Sequence, residues 1–456
     1  MPTIAAISTP RATGGISVIR ISGENAIEIA GQVFTPVSPK TAVAEMGGYS
    51  CAYGVISDNG ERVDDGVLTV FRAPKSYTGE NVAEISCHGG IFVTEKILRL
   101  ILSKGAEAAG AGEFTKRAFL NGKTTLTQAE AVMDMIAAEG EASRKSAAAL
   151  MEGALFRRIR KTADELALIL SGLAAWADYP EEALPEIEDQ ALISALKKAE
   201  SELSDILAQY DNGRLLREGV DTVICGKPNV GKSSLMNLLS GCERSIVTEI
   251  AGTTRDIIEE TVRIGGITLR LCDTAGMREA ADIAEAIGVR KAAQKMESSA
   301  LILAVFDNSE SLSPEDKILI ERCAGKRCIA LINKSDKPPK LNRSYITEKF
   351  TETVTISAKL GEGLEELRSA LERLFKLDAC MGMFDAGVIA NERQRLCADR
   401  ALSTLREAIA ALSSGIPLDA VTVIIEEAEG ALLELTGERV SDVVINNVFS
   451  RFCVGK

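Results

Sequence analysis

Four short blocks of this sequence carry residue types that could manage a nucleoside triphosphate. The first, Gly226-Lys227-Pro228-Asn229-Val230-Gly231-Lys232-Ser233, fits G-x-x-x-x-G-K-[ST] and continues into Ser234. It follows the apolar run TVIC and precedes the helix-like SSLMNLLSG, the strand–loop–helix setting the motif requires. Glycines let backbone N–H groups converge on phosphates, and the helix N-terminus adds partial positive charge. Lys232 is placed to neutralise the β/γ oxygens, and the Ser233 hydroxyl to ligate Mg²⁺. The second block, Asp273-Thr274-Ala275-Gly276, closes the run LRLC. Asp273 can hold Mg²⁺ through water, and the Gly276 N–H can meet a γ-phosphate. The third, Asn333-Lys334-Ser335-Asp336, ends CIALI. A carboxylate there accepts two hydrogen bonds from guanine N1–H and its 2-amino group. Adenine lacks that donor pair, so Asp336 favours GTP over ATP. The fourth, Ser357-Ala358-Lys359, ends TVTI and can give backbone contacts to guanine O6. Thr253-Thr254 lies between the first two blocks, where a switch threonine completes the Mg²⁺ shell.

One position breaks the pattern. After Gly276 comes Met277, where many GTPases carry a glutamine that orients the attacking water. Methionine offers no useful hydrogen bond. Either this switch does not hydrolyse GTP, or another group holds the water.

The elements that must position these blocks are legible in the texture of the chain. Over 218–377 the runs DTVICG, ITLRLCD, ALILAVFD, RCIALINK and TVTISAK are each followed by a loop and then helical sequence. They read as buried parallel strands of an α/β domain. Residues 1–120 contain the β-like runs TIAAIS, GISVIRIS, YGVIS, DGVLTVFRAP and VAEISCHGG. Helix-like IFVTEKILRLILSKG follows and ends at Gly105, so this part reads as a compact α+β domain. Residues 121–217 and 378–456 are helical in texture. In 186–211, Ile187, Leu192, Leu196, Leu203, Leu207 and Tyr210 fall near one face. The economical architecture is multidomain: an α+β N-terminal domain, a discontinuous all-α domain, and a Ras-like P-loop α/β domain inserted into it. Insertion is cheap because domain termini often lie close together.

The 456 residues suffice for about two to four domains. Apolar residues make up 46% and charged ones 26%, a globular composition. No apolar run reaches the length of a membrane span. The first residues, MPTIAAISTPRATGG, lack the pattern of a secretory signal, which points to the cytoplasm. The ten cysteines form no CxxC pair and read as free thiols. A net charge of −13 argues against a generic nucleic-acid coat. The single histidine, His88, limits any imidazole chemistry to one residue.

The chain resembles the MnmE (TrmE) family of tRNA-modification GTPases over essentially its whole length. The resemblance rests on PNVGKSSLMN, EIAGTTRD (249–256), DTAGMRE, GISVIRISG, SYTGENVAEISCHGG, GEFTKRAFLNGK (112–123) and FCVGK (452–456). Blocks such as GEFTKRAFLNGK and FCVGK have no role in a generic GTPase. The resemblance implies an N-terminal folate-binding domain that dimerises, a helical domain and an inserted G domain. It implies GTP hydrolysis that depends on K⁺ and on two G domains meeting. It also implies an FAD-dependent partner, MnmG. Together they would place an aminomethyl or carboxymethylaminomethyl group at C5 of the wobble uridine of certain tRNAs, using a tetrahydrofolate one-carbon unit in its 5-formyl or 5,10-methylene form.

Residue by residue, Asn229 matches the family's K⁺-ligating asparagine. The stretch Thr248-Glu249-Ile250-Ala251-Gly252-Thr253 resembles its K⁺ loop, with oxygens of Thr248, Ile250 and Thr253 as ligands; Thr254 joins the Mg²⁺ shell. Glu285, twelve residues after Asp273, matches the catalytic glutamate that orients the water. On spacing alone, 279–290 reads better as a charged helix face. Arg278 is a candidate for stabilising the switch, or a plain surface arginine. Arg20, Glu80, Lys123 and Lys456 match the folate contacts; Arg20 also reads as a buried salt bridge, and Thr78-Gly79-Glu80 as a turn. Cys453 reads two ways, as a nucleophile or redox participant and as a small packed residue. His88 is as consistent with a structural role as with a catalytic one.

Two other functions compete. A regulatory GTPase of ribosome assembly would carry a basic RNA-binding module, whereas this chain ends in helices and FCVGK. A folate-sensing dimer with residual GTPase activity would fail to restore wobble-uridine modification.

Overall fold

The computed structural model describes residues 1–38, 42–138, 140–178, 189–210, 214, 219–241, 259–272, 296–297, 299–375 and 387–456. They divide into two units, Met1–Met133 with Glu429–Lys456, and Asp134–Ala428.

The first unit is built on a seven-stranded sheet. Its strands are β1 (Ile4–Ile7), β2 (Ile16–Ser22), β3 (Phe34–Pro36), β4 (Ser50–Asp58), β5 (Glu61–Phe71), β6 (Val82–His88) and β7 (Glu107–Ala108). Their order is β3-β4-β5-β6-β2-β1-β7, antiparallel throughout except for β1 with β7. The period-2 alternation explains the layering. Ile19, Ile21, Leu68, Val70, Ala83 and Ile85 point to one face. There the helices Ala26–Val33 and Ile91–Ser103 cover them with Ile29, Val33, Ile97 and Ile101. Each such side chain removed from water contributes about 1.5–3 kcal/mol. The intervening Arg20 and Glu84 lie on the opposite face, paired at 2.7 Å.

The chain's C-terminus returns to this unit. After the helix Asp442–Phe449, Val454 pairs with Ala111, and the Ser8 hydroxyl donates to Gly455 O at 3.0 Å. Gly455 has φ +97°, and a Cβ there would lie 2.3 Å from Ile7 O. Only glycine permits the tail to approach β1 so closely.

The second unit contains a six-stranded sheet of β8 (Val220–Cys225), β9 (Glu259–Ile264), β10 (Ile267–Cys272), β11 (Leu301–Asp307), β12 (Cys328–Asn333) and β13 (Glu352–Thr355). The order is β13-β12-β11-β8-β10-β9, parallel except for β9, an antiparallel edge strand. Strands β11 and β12 are buried at every residue, as a sheet covered on both faces requires. The five apolar runs anticipated as strands are all present. Long helices complete the unit, among them Ala154–Asp178, Asp189–Ala208 and Glu392–Ser413. The helix Asp189–Ala208 buries Leu192, Leu196 and Leu203 as expected, but Ile206 rather than Leu207 faces inward. No helix among the described residues is long and apolar enough to cross a membrane.

Candidate functional site

The loop from Gly226 to Ser233 runs from the end of β8 into the helix Lys232–Ser240. Gly231 sits at its start in the left-handed region, φ +100°, and a Cβ there would lie 2.3 Å from Asn333 Nδ2. Buried Leu235 and Leu239 anchor the helix, while Ser233 and Ser234 are exposed at its open first turn. The N–H groups of that turn lack intrahelical acceptors and favour an anion. Lys232 Nζ donates to the carbonyls of Gly226 at 2.6 Å and Lys227 at 2.8 Å. Both acceptors are neutral. A phosphate oxygen carries the full opposite charge that these carbonyls lack, so a triphosphate would draw the ammonium away from them.

The segments expected to read the base follow β12 and β13 and meet this loop. Asn333, buried at the end of β12, donates through Nδ2 to Val230 O at 2.8 Å and accepts the Ala358 N–H at 3.0 Å. Lys334, φ +64°, donates to Asn229 O at 2.7 Å and to Asp307 Oδ2. Asn229 is itself exposed and left-handed, φ +64°. Asp336 is exposed, and its Oδ1 accepts the Ser357 hydroxyl at 2.8 Å. That hydrogen bond holds its carboxyl below the usual carboxylate range, which keeps it a pure acceptor. Within Ser357-Ala358-Lys359, the Ser357 N–H goes to Glu362 O and the Ala358 N–H to Asn333. Two of the three backbone donors expected for guanine O6 are thus already engaged.

Several expected residues lie outside the described residues: Thr248, Glu249, Ile250, Ala251, Gly252, Thr253 and Thr254 of the loop, Asp273, Thr274, Ala275 and Gly276 of the switch, and Met277, Arg278 and Glu285 beyond it.

In the first unit, the four residues matched to folate contacts gather around the helix Glu113–Leu120 and the turn at 78–80. The Arg20 guanidinium lies over the rings of Tyr77 (5.2 Å) and Phe114 (5.6 Å). Glu80 accepts Ser22 Oγ at 2.7 Å and Arg117 Nη1 at 3.2 Å through both oxygens. Lys123 Nζ donates to Pro74 O at 3.1 Å, and its stem packs on Gly79. Lys456 O accepts the Phe114 N–H at 3.1 Å. The same residues satisfy the plainer readings: Arg20 is salt-bridged, and Thr78 Oγ1 accepts the Glu80 N–H in a tight turn. Cys453 is exposed, and its carbonyl accepts the Gly112 N–H. His88 is exposed, with Nδ1 2.7 Å from Asp64 Oδ1; that hydrogen bond raises its pKa.

Three residues with evident roles were not singled out from sequence. Asp307, 3% exposed at the end of β11, binds Lys334 and the Ser309 N–H and hydroxyl. Burial alone would raise its carboxyl; the Lys334 and Ser309 hydrogen bonds outweigh that and hold it low. Arg117, 2% exposed, ties Glu80, Glu113 and Pro2 O together. Lys227, inside the P-loop, pairs with Glu310 at 2.9 Å and Asp316 at 3.3 Å. The one local signal was the i,i+4 spacing of Glu113 and Arg117.

Comparison with known proteins matches both units. Residues 3–123 match the family described as GTP-binding protein TrmE N-terminus, and residues 126–453 the MnmE helical domain. The tRNA modification GTPase MnmE of Acetivibrio thermocellus is 40% identical over 458 aligned residues, covering 100% of this chain and 99% of that one. The protein of the same name from Clostridioides difficile is 41% identical, with the same coverage. Among solved structures, Era in complex with MgGDPNP and 16S ribosomal RNA nucleotides is 33% identical over 34% of this chain and 56% of its own, TM-score 0.28. The G domain of the T. maritima FeoB iron transporter is 28% identical over 34% of this chain and 98% of its own, TM-score 0.26.

Proposed function

Because this chain belongs to the MnmE family of tRNA modification GTPases, we propose that its GTP hydrolysis is K⁺-dependent and serves wobble-uridine modification. With the FAD-dependent partner MnmG, it installs an aminomethyl or carboxymethylaminomethyl group at C5 of the wobble uridine, using a tetrahydrofolate one-carbon unit. It works in the cytoplasm as a homodimer joined through the N-terminal domain. The domains are 1–120, a helical domain of 121–217 with 378–456, and the inserted G domain 218–377. The observation that supports this reading is the occurrence in one chain of two preset polar sites. One is the P-loop locked to Asn333 and Lys334; the other is the Arg20–Glu80–Lys123–Lys456 cluster on the helix Glu113–Leu120.

Lys232 leaves the loop carbonyls for the β/γ oxygens, and the N–H groups opening the helix Lys232–Ser240 hold the remaining phosphate charge. Asp336 reads guanine. Ser233 and Thr254 are the residues that would hold Mg²⁺, with Asp273 reaching it through water. The exposed, left-handed Asn229 suits a K⁺ ligand beside Thr248, Ile250 and Thr253: all offer oxygen, the donor a monovalent cation needs. A cation held there would supply the positive charge that an arginine finger gives other GTPases. Glu285 orients the water that attacks the γ-phosphorus as the bond to the β–γ bridging oxygen breaks and GDP leaves. Arg278 steadies the switch. In the N-terminal site, Glu80 pairs with the pterin edge, and Arg20, Lys123 and Lys456 meet the folate's carboxylates. Cys453, exposed beside that site, is available as a nucleophile.

Mass spectrometry of tRNA from cells that lack their own MnmE and express this chain tests the reading. Restored C5-modified wobble uridine is expected. Active GTP hydrolysis with unmodified tRNA would overturn it, in favour of the ribosome-assembly or the folate-sensing alternative.

A further inference from the structure

The ammonium of Lys334 bridges two groups of different character. On one side is the Asn229 carbonyl in the P-loop, at 2.7 Å; on the other is the buried Asp307 carboxylate. Asp307 is aimed by its own partners, since Ser309 N–H and Oγ–H reach Oδ1 at 2.8 and 2.7 Å and leave Oδ2 for Lys334. Stability is a poor explanation of this arrangement, because a buried ion pair is often no better than an apolar pair of the same volume. Direction is a better one. Lys334 and Asn229 are both non-glycine residues in the left-handed region, a conformation that persists only where its surroundings impose it.

We propose that Asp307 is a positioning residue of the nucleotide site: by holding Lys334 against the Asn229 carbonyl, it presets the P-loop at the residue that would ligate the monovalent cation. The part concerning the cation rests on the K⁺ reading above; the part concerning the loop does not. Asp307→Asn keeps the shape but sets an amide donor against the ammonium. Lys334 is then drawn toward water, and Asn229 loses the bond that fixes its backbone.

Two readouts on the full chain separate the claims. Amide hydrogen exchange of the 227–233 peptide, with neither nucleotide nor K⁺ present, is expected to quicken in Asp307→Asn while the peptides of β11 and β12 are unchanged. Half-saturating K⁺ for GTP turnover is expected to rise about tenfold, the usual scale for a lost outer partner of a metal ligand, with kcat recovered at saturating K⁺. Ser309→Ala, which removes one donor to Asp307 and is far milder, is expected to move both readouts the same way by less, and it carries the test if Asp307→Asn does not fold. Unchanged loop exchange in a folded variant overturns the positioning role. Quickened exchange with unchanged half-saturating K⁺ overturns the link to the cation. Equal wild-type rates in K⁺ and Na⁺ overturn the cation reading itself, leaving the exchange result to decide the rest.

Discussion

Asn229 and Lys334 are both left-handed, each at φ +64°, and the ammonium of the second donates to the carbonyl of the first across 2.7 Å. One belongs to the P-loop motif and the other to the segment proposed to read the base. The adjacent pair repeats the clamp, Asn333 to Val230 O at 2.8 Å. The two halves of the nucleotide site are thus joined by hydrogen bonds within the protein itself, and binding costs less when its site is preset.

Gly231→Ala tests the clamp from the phosphate side. Alanine would place a Cβ 2.3 Å from Asn333 Nδ2 at φ +100°. The strain is about 1–3 kcal/mol, before the loss of the Asn333 bond. Thermal unfolding is expected at lower temperature, and nucleotide affinity falls because the loop cannot close on phosphate.

Asp336→Asn tests base selection. The variant exchanges an acceptor for a side chain that also donates, against two guanine donors. Hydrogen bonds to a charged group contribute about 1.5–3 kcal/mol each, so GTP affinity falls about 100-fold or more. A xanthine nucleotide, which offers a carbonyl where guanine has its amino group, is expected to bind the variant better than wild type. Competitive displacement of a fluorescent nucleotide measures both.

His88 provides a clean titration because the chain has one imidazole. Its hydrogen bond to Asp64 raises the folded-state pKa above the ordinary 6.5. The protonated form is therefore favoured by folding. Any stabilisation is complete below about pH 6.5, the unfolded value, and is lost as pH rises through the folded value. Asp64→Asn is expected to lower the pKa read from the imidazole NMR signals.

Thiol reactivity is expected to follow burial. Desolvation pushes Cys87 and Cys225 up to about 11, whereas Cys51 and Cys453 are exposed. At pH 7.5, iodoacetamide should label Cys51 and Cys453 well before Cys87 and Cys225, as peptide mass spectrometry would show.

Much of the fold was legible because burial writes its period into the sequence. ISVIRIS alternates on the half-covered sheet, and LILAVFD runs unbroken on the sheet covered on both faces. Strand β9, EETVRI, was missed because an edge strand needs few apolar residues and its charges broke the run. The P-loop, Asn333 and Asp336 were legible because each lies in a short block of fixed spacing, G-x-x-x-x-G-K-S or N-K-S-D, directly after an apolar run. Arg117 and Asp307 were not. Arg117 finds Pro2 115 residues away and Glu80 37 away, and Asp307 finds Lys334 27 residues on. A charged residue buried by distant partners looks locally like any surface charge.

The measurement that bears most directly on the central claim is GTP turnover by the full chain in KCl and in NaCl at equal ionic strength, with Glu285→Ala beside wild type. Wild type is expected to be about 100-fold or more faster in K⁺, the lower end of what a lost transition-state charge costs, and the variant slow in both salts. Equal wild-type rates in the two salts would contradict the K⁺ assignment, and a fully active variant would contradict the role of Glu285.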